Sequence, residues 1–303
     1  MTNIENKKII AILLTYKPDN KFVKLIESLL NQTLRLDKIV IINSDESHFY
    51  DKLDNNDILK LNMLLSNENI IKFNISKNDF DHGRTRNFAF NKIDSDYVLF
   101  MTQDAIPYDE KLVENLYNSF ENNNLAFVYA RQIPFDDAKY TEKLVREYNY
   151  PDYDILKNKS TIDKYGIKNY FCSNVCAMYD SKIFKEQGMF DEELTLNEDS
   201  LYAYKTVNNG YDFMYNSNAK VYHSHNFNYI EQFNRNYLIG ISQSKYKYIY
   251  NTVSNEREGA KLVKYVCINC LKNFRFLSLI DFLIEAVFRY AGFLIGKRKY
   301  KND

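Results

Sequence analysis

Residues 8–16, KIIAILLTY, form an unbroken apolar run of strand length, and the pattern returns at KIVIIN (38–43), IIKFNIS (70–76), YVLFM (97–101) and LAFVYARQ (125–132). A strand with one wet face alternates apolar and polar residues. A continuous run needs cover on both faces, as in a parallel sheet between two helix layers. The intervening stretches supply such helices. Phe22, Ile26, Leu29 and Leu30 recur at helical spacing behind Asp19 or Asn20 as a cap. GRTRNFAFNKI (83–93) and DEKLVENLYNSF (109–120) also read as helices, whereas the stretch between the second and third runs is polar and only weakly periodic. Strand and helix in alternation predict an α/β fold, with a mostly parallel central sheet and helices on both faces.

Beyond the fifth run the pattern loosens. Residues 136–170 are polar and tyrosine-rich, with little Gly or Ser, and read as an excursion from the sheet rather than a linker. NYFCSNVCAMYD (169–180) and AKVYHSHNF (219–227) read as further strands. Residues 191–210 read as a loop entering a helix that ends at Gly210.

The last stretch, residues 274–301, is long and apolar but carries Asp281, Glu285 and Arg289 four apart, on one helical stripe. A spanning helix tolerates few such charges. The pattern predicts an amphipathic helix lying in a membrane interface, with Lys297, Arg298, Lys299 and Lys301 beside anionic headgroups. The alternative is a helix packed on the main domain or in a homodimer interface. GFLIG (292–296) fits a G-x-x-x-G helix-packing pattern.

Charge and cysteines narrow the function. The 303 residues hold 40 Lys+Arg and 40 Asp+Glu, so the basic excess expected of a nucleic-acid binder is missing. The opening MTNIENKKII has no apolar core of a secretory signal, and the four cysteines are expected as reduced thiols in a cytosol. The Cys267–Cys270 spacing is C-x-x-C, but no second pair or His follows at a zinc spacing. Both common phosphate-cradling glycine loops are absent from the sequence.

Four groups could carry chemistry. Asp104 follows an apolar strand, and open parallel sheets bind ligands beyond the carboxyl ends of their strands. A carboxylate there can hold a hard divalent cation that in turn holds a diphosphate. The plainer reading of Asp104 alone is a turn residue before Pro107. Glu198 and Asp199 sit at a loop–helix junction, as a general base or as capping acids. His223 and His225 are candidate metal ligands or phosphate partners. Strand alternation would point them to opposite faces, so that only one reaches a site. FDHGRTRN (80–87) places His82, Gly83, Arg86 and Asn87 at a helix start, where N–H groups and cations suit an anion.

Taken in order, AILLTYKP, KIVIINSDES, DFDHGRTRNFAF and LFMTQDAIP resemble the nucleotide-sugar half of family-two glycosyltransferases with the GT-A fold. HGRTRN and TQDAIP are most similar to bacterial rhamnosyltransferase-type members. REYNYPDYD, KYGIKNYFCSN, GMFDEEL, NEDSLYAYK and AKVYHSHNF continue the resemblance to about residue 240. It implies a GT-A domain over 1–240, with a nucleotide-sugar half to about 132 and an acceptor half from 133. Residues 241–303 would then form a C-terminal helical region.

The resemblance further implies that Thr15, Tyr16, Asn43, Asp45, His82, Gly83, Arg86, Asn87 and Gln103 contact the nucleotide sugar. Asn43 stands where the family usually has an acid, and Thr102 stands at the first acid of its D-x-D metal motif. Asp104 then carries the metal, Mg²⁺ or Mn²⁺, with His223 or His225. Asp199 matches the expected catalytic base. The implied activity is inverting transfer, with dTDP-L-rhamnose as the expected donor and a saccharide or polyprenyl-linked acceptor of a surface polysaccharide. The implied location is cytoplasmic, peripheral on the inner face of the membrane. A UDP-hexose transferase and a non-catalytic sugar-binding module are the alternatives.

Overall fold

The computed structural model describes residues 7–121, 124–192, 196–250 and 255–299. Its strands, among the described residues, are β1 (Ile9–Thr15), β2 (Lys38–Ser44), β3 (Ile70–Ile75), β4 (Tyr97–Thr102), β5 (Ile106–Pro107), β6 (Leu125–Ile133), β7 (Ile155–Lys157), β8 (Cys176–Asp180) and β9 (Asp212–Tyr222). All seven residues of β1 are buried, as the continuous run requires. β3, β2, β1 and β4 are adjacent and parallel. β8 then enters antiparallel between β4 and β6, β9 runs parallel to β6, and β5 and β7 pair antiparallel with β9. The sheet is thus parallel in its first half and mixed in its second.

The helices are α1 (Asn20–Leu30), α2 (Asn55–Leu65), α3 (His82–Phe90), α4 (Leu112–Asn118), α5 (Tyr140–Asn149), α6 (Ile162–Tyr165), α7 (Ser181–Glu186), α8 (Glu198–Asn208), α9 (Tyr229–Lys245), α10 (Lys247–Tyr250), α11 (Asn255–Lys272) and α12 (Phe276–Lys299). Ile9, Ala11 and Leu13 pack toward α1 and α4, while Ile10, Ile12 and Leu14 pack toward α3 and α8. Both faces of β1 are therefore covered. Asp19 caps α1 by accepting from Lys21 N at 2.9 Å.

Three local readings of the sequence are corrected. α2 lies in the stretch taken as polar and weakly periodic. It buries only Leu61 and leaves Leu59 and Met63 exposed, so it has little apolar stripe to see. The strand read at 169–180 is formed only over Cys176–Asp180, because residues 171–175 turn across the sheet end. β9 begins earlier than expected and stops at Tyr222, so His223 and His225 lie past the strand and the alternation rule does not govern them.

The C-terminal helices form a close pair. A Cβ at Gly292 would lie 2.3 Å from Phe233 O, one at Gly296 2.0 Å from Tyr237 O, and one at Gly240 2.3 Å from Phe293 O. GFLIG therefore packs α12 onto α9 within the chain, at a spacing only glycine permits. The charged stripe of α12 turns inward: Glu285 is buried and accepts from Gln232 Nε2 at 2.9 Å, and Asp281 pairs with Lys139 at 3.0 Å. Its apolar flank faces out, with Leu277 84% and Val287 66% exposed. Lys301 lies outside the described residues. No helix among the described residues is long and apolar enough to cross a membrane.

Candidate active site

A cavity of about 590 Å³ opens at the carboxyl ends of β4 and β6, walled on the far side by α5, α8, α9 and Arg289 of α12. Asp104 reaches it because β5 pairs with the end of β9, Ile106 opposite Tyr222. This pairing folds the segment after β4 against the residues after β9. The Asp104 carboxylate oxygen lies 3.5 Å from His223 Nε2 and 3.4 Å from His225 Nε2. All three donor atoms fall within 4.8 Å of one another. Both histidines thus face the site, contrary to the expectation of one, since irregular backbone carries them. Burial holds both imidazoles below their usual range, with Arg146 adding to the effect and Asp104 opposing it at His225. Neutral imidazoles beside a carboxylate are a good ligand set for a divalent cation.

The second group gathers at the start of α8. Glu198 is buried and paired with Arg86 at 2.6 Å. Burial would raise its carboxyl, but Arg86, His82 and the Asn174 amide together hold it below the usual range. Among the described residues, no cation contacts the neighbouring Asp199. It accepts from Ser200 N at 2.7 Å and Asn174 N at 3.3 Å. Burial and the Glu198 charge outweigh those bonds and push its pKa up to about 7. Two adjacent carboxyls thus have opposite fates, set by which one the arginine reaches. Asn174 ties them together, donating Nδ2 to Glu198 at 3.1 Å while Tyr179 OH donates to its Oδ1 at 2.6 Å.

The remaining residues singled out in the sequence divide. His82 and Arg86 line the cavity. The Gly83 and Arg84 N–H groups, read as open to an anion, are taken by the Asp81 carboxylate at 3.0 and 3.2 Å. Asn87 is committed to Phe190 N, Phe190 O and Glu192, and a Cβ at Gly83 would strike Asp191 O at 2.5 Å. Both residues therefore fasten α3 to the 190–192 segment. Gln103 lines the cavity edge but binds across the sheet: its Oε1 accepts from Thr15 Oγ1 at 2.6 Å and Tyr16 N at 2.9 Å, and its Nε2 donates to Tyr16 O at 3.1 Å. Asn43 donates to Asn74 at 3.0 Å. Asp45, at a left-handed φ of 77°, accepts from Ser47 and lies 3.8 Å from His48 Nε2. Thr15, Tyr16, Asn43 and Asp45 form a rim at the ends of β1 and β2, apart from the cavity lining.

Sequence reasoning missed Gln132, Arg146, Asn174 and Arg235, all of which line the cavity. Gln132 was within reach, as a polar residue at the carboxyl end of an apolar strand, by the logic applied to Asp104. Arg289 was noticed, but only as one of three charges on a helical stripe and not as a cavity residue. Arg146 and Arg235 had no motif around them.

The glycosyl transferase family 2 model matches residues 11–188. The O-antigen chain rhamnosyltransferase RfbN of Salmonella typhimurium is 33% identical over 96% of this chain and 90% of its own length. The O-antigen chain rhamnosyltransferase WbaN of Salmonella anatum is 33% identical over 74% of this chain and 71% of its own. Among solved structures, a Pyrobaculum calidifontis mannosyltransferase in complex with GDP-Man and Mn²⁺ superposes with a TM-score of 0.62 at 9% identity, covering 98% of this chain and 88% of that one. Residues 1–349 of TarS from S. aureus, in complex with UDP-GlcNAc, superpose at 0.55 and 14% identity over 97% and 92%. These superpositions are of the whole fold. The chain belongs to glycosyl transferase family 2, as a glycosyltransferase of the GT-A fold.

Proposed function

We propose that this enzyme transfers L-rhamnose from dTDP-L-rhamnose, with inversion, to a saccharide hydroxyl during assembly of a surface polysaccharide. The observation that carries the reading is Asp199, a carboxyl poised near neutrality in the same cavity as the Asp104–His223–His225 triad. The donor identity rests on the rhamnosyltransferase relatives. In the transfer, the acceptor oxygen bonds to the anomeric carbon, the bond from that carbon to the nucleoside diphosphate breaks, and Asp199 takes the acceptor proton. A base with a pKa near the working pH combines availability with driving force. One carboxylate and two imidazoles suit Mn²⁺ better than Mg²⁺, which prefers oxygen ligands. Bound there, the ion would supply positive charge to the departing diphosphate. Thr15, Tyr16 and Asp45 are proposed to meet the nucleoside, the first two positioned by Gln103.

A second part of the reading concerns place. The outward apolar flank of α12 with Lys297, Arg298 and Lys299 at its end suits an anionic membrane surface, which would bring the cavity to a lipid-linked acceptor. The location proposed is the inner face of the cell membrane.

The test for transfer incubates the full chain with Mn²⁺, a lipid-diphosphate saccharide and either dTDP-L-rhamnose or UDP-hexoses. Acceptor-dependent dTDP release and an inverted linkage by NMR are expected. Preference for a UDP-hexose overturns the donor, and donor binding without turnover favours a binding module. For the membrane, wild type should float with anionic vesicles and Leu277→Glu/Val287→Glu should not. Equal flotation removes this reading, and a dimer lost in the variant would make a second copy the occupant.

A further inference from the structure

His223 has two ring nitrogens, and the protein determines which carries the proton. Its Nδ1 lies 2.9 Å from Gln132 Oε1. The same oxygen is met by Nη1 of Arg146. A guanidinium only donates, so the Gln132 carbonyl, not its amide nitrogen, must face Arg146. A carbonyl oxygen only accepts, so His223 Nδ1 must donate to it. The proton is thereby placed on Nδ1, and Nε2 is left with a bare lone pair aimed at Asp104 Oδ2, 3.5 Å away.

Arg146 is itself held. Its Nε donates to Glu142 one turn earlier at 2.7 Å, and its guanidinium lies over the Tyr150 ring at 5.9 Å. The other end of the Gln132 amide donates to Ser173 Oγ at 3.0 Å, beside Asn174, which binds both α8 acids. Gln132 is buried at the end of β6, and His223 N donates to Ile133 O at 2.8 Å. The strand pairing thus sets the distance between amide and ring. Arg146 donates both to the Glu142 carboxylate and to the Gln132 carbonyl, and His223 donates to that same carbonyl, so the amide oxygen accepts from both sides. His225 is oriented differently, by stacking on Phe227 at 4.7 Å.

We infer that Gln132 and Arg146 are positioning residues that lock His223 as the Nδ1–H tautomer, so that its Nε2 serves as a lone-pair ligand to the divalent cation rather than as a proton donor to the leaving phosphate. The inference rests on the metal reading of the triad given above. It assigns to an amide the job that a carboxylate or backbone carbonyl performs behind many metal-bound histidines. A bare lone pair facing a carboxylate at this distance repels it, and a cation between them turns that repulsion into two bonds.

The test uses full-length protein without nucleotide. Titration of Mn²⁺ by calorimetry should show Gln132→Leu binding about 10–100-fold more weakly than wild type, the usual loss when a ligand's outer partner is removed. Gln132→Glu keeps an oxygen toward both Arg146 and His223 and should recover affinity to within a few-fold. Nitrogen-15 NMR of the metal-free wild type reads the tautomer directly and does not depend on any variant folding. It should show a pyrrole-like Nδ1 and a pyridine-like Nε2 at His223. An Nε2–H tautomer there overturns the inference, as does a folded Gln132→Leu protein with unchanged Mn²⁺ affinity. Wild type that binds no Mn²⁺ at all would overturn the metal reading and this inference with it.

Discussion

The β1–β2 rim and the cavity beside it handle polar residues in opposite ways. At the β1–β2 rim, side chains bond mostly to one another, with Asn43 Oδ1 and Ser44 Oγ left without a partner among the described residues. Gln103 closes three bonds with Thr15 and Tyr16, Asn43 binds Asn74, and Asp45 binds Ser47. Around α8 and the end of β9, ionisable groups are buried beside each other, and Asp199, Glu198, His82, His223 and His225 all shift. The rim is a shaped, hydrogen-bonded surface whose one carboxylate, Asp45, is held below its usual range by the Ser47 hydroxyl. The cavity stores electrostatic tension that substrate, cation and proton can release. Substitutions at the rim should therefore alter binding or stability, and those in the cavity should alter chemistry.

The largest effect that contrast predicts is at Asp199. Asp199→Asn should lower kcat by about 10²–10⁴, the range for an essential base, with donor affinity near wild type. Turnover within a few-fold of wild type would move the base elsewhere. The same variant should be more stable at pH 8. The folded Asp199 holds its proton to about pH 7, whereas the unfolded one releases it near its ordinary value of about 3.9. The stability tied to that proton is complete below the lower value and lost as pH rises through the higher one. Asn carries no such loss. The Tm advantage of Asp199→Asn should thus appear at pH 8 and shrink toward pH 5. In wild type, kcat/KM should rise about tenfold per pH unit below 7 and level off above it.

Next in size is the Arg86–Glu198 pair, which touches both behaviours. Arg86→Met strands a buried carboxylate and should cost about 3–5 kcal/mol of stability. Arg86→Met/Glu198→Leu should regain most of that, since neither charge remains. Without the neighbouring carboxylate the acid limb of the pH profile should move below 7, read from kcat/KM against pH. An unmoved limb would mean that burial alone raises Asp199.

Why some of this was legible in the sequence follows from the same contrast. β1, β2 and β4 are continuous apolar runs because two helix layers cover them, and that burial is local enough to read from residue order. Asp104, Asp199 and the two histidines stood out as charged or imidazole groups at element ends. Their relations did not. Which face His223 takes depends on where β9 stops, and β9 stops where β5 pairs with it. Gln132 and Arg146 act through a bond across 14 residues, and Arg289 through helix packing set by Gly292 and Gly296. α12 read as an interfacial helix whose three charges share one stripe, with packing on the main domain as the alternative. The stripe is in fact internal, because Glu285 and Asp281 find partners on α9 and beside α5. Periodicity reports that a stripe exists, not which neighbour it meets.

The smallest predicted effect lies at the rim. Gln103→Leu removes the two hydrogen bonds that hold the Tyr16 backbone and leaves Thr15 Oγ1, on a residue only 2% exposed, without its acceptor. An unsatisfied group of that kind costs about 1–3 kcal/mol, so Tm should fall by several degrees. The loosened Tyr16 segment should raise KM for the donor by about three- to tenfold. Asp199 lies across the cavity and keeps its surroundings, so kcat should stay within about twofold. Loss of affinity alone is the signature of a contact made equally in ground and transition states. A fall in kcat as large as the rise in KM would show instead that the rim helps set the reacting geometry. The division between a hydrogen-bonded binding rim and an electrostatically tense cavity would then be wrong at its boundary, where Gln103 adjoins Asp104.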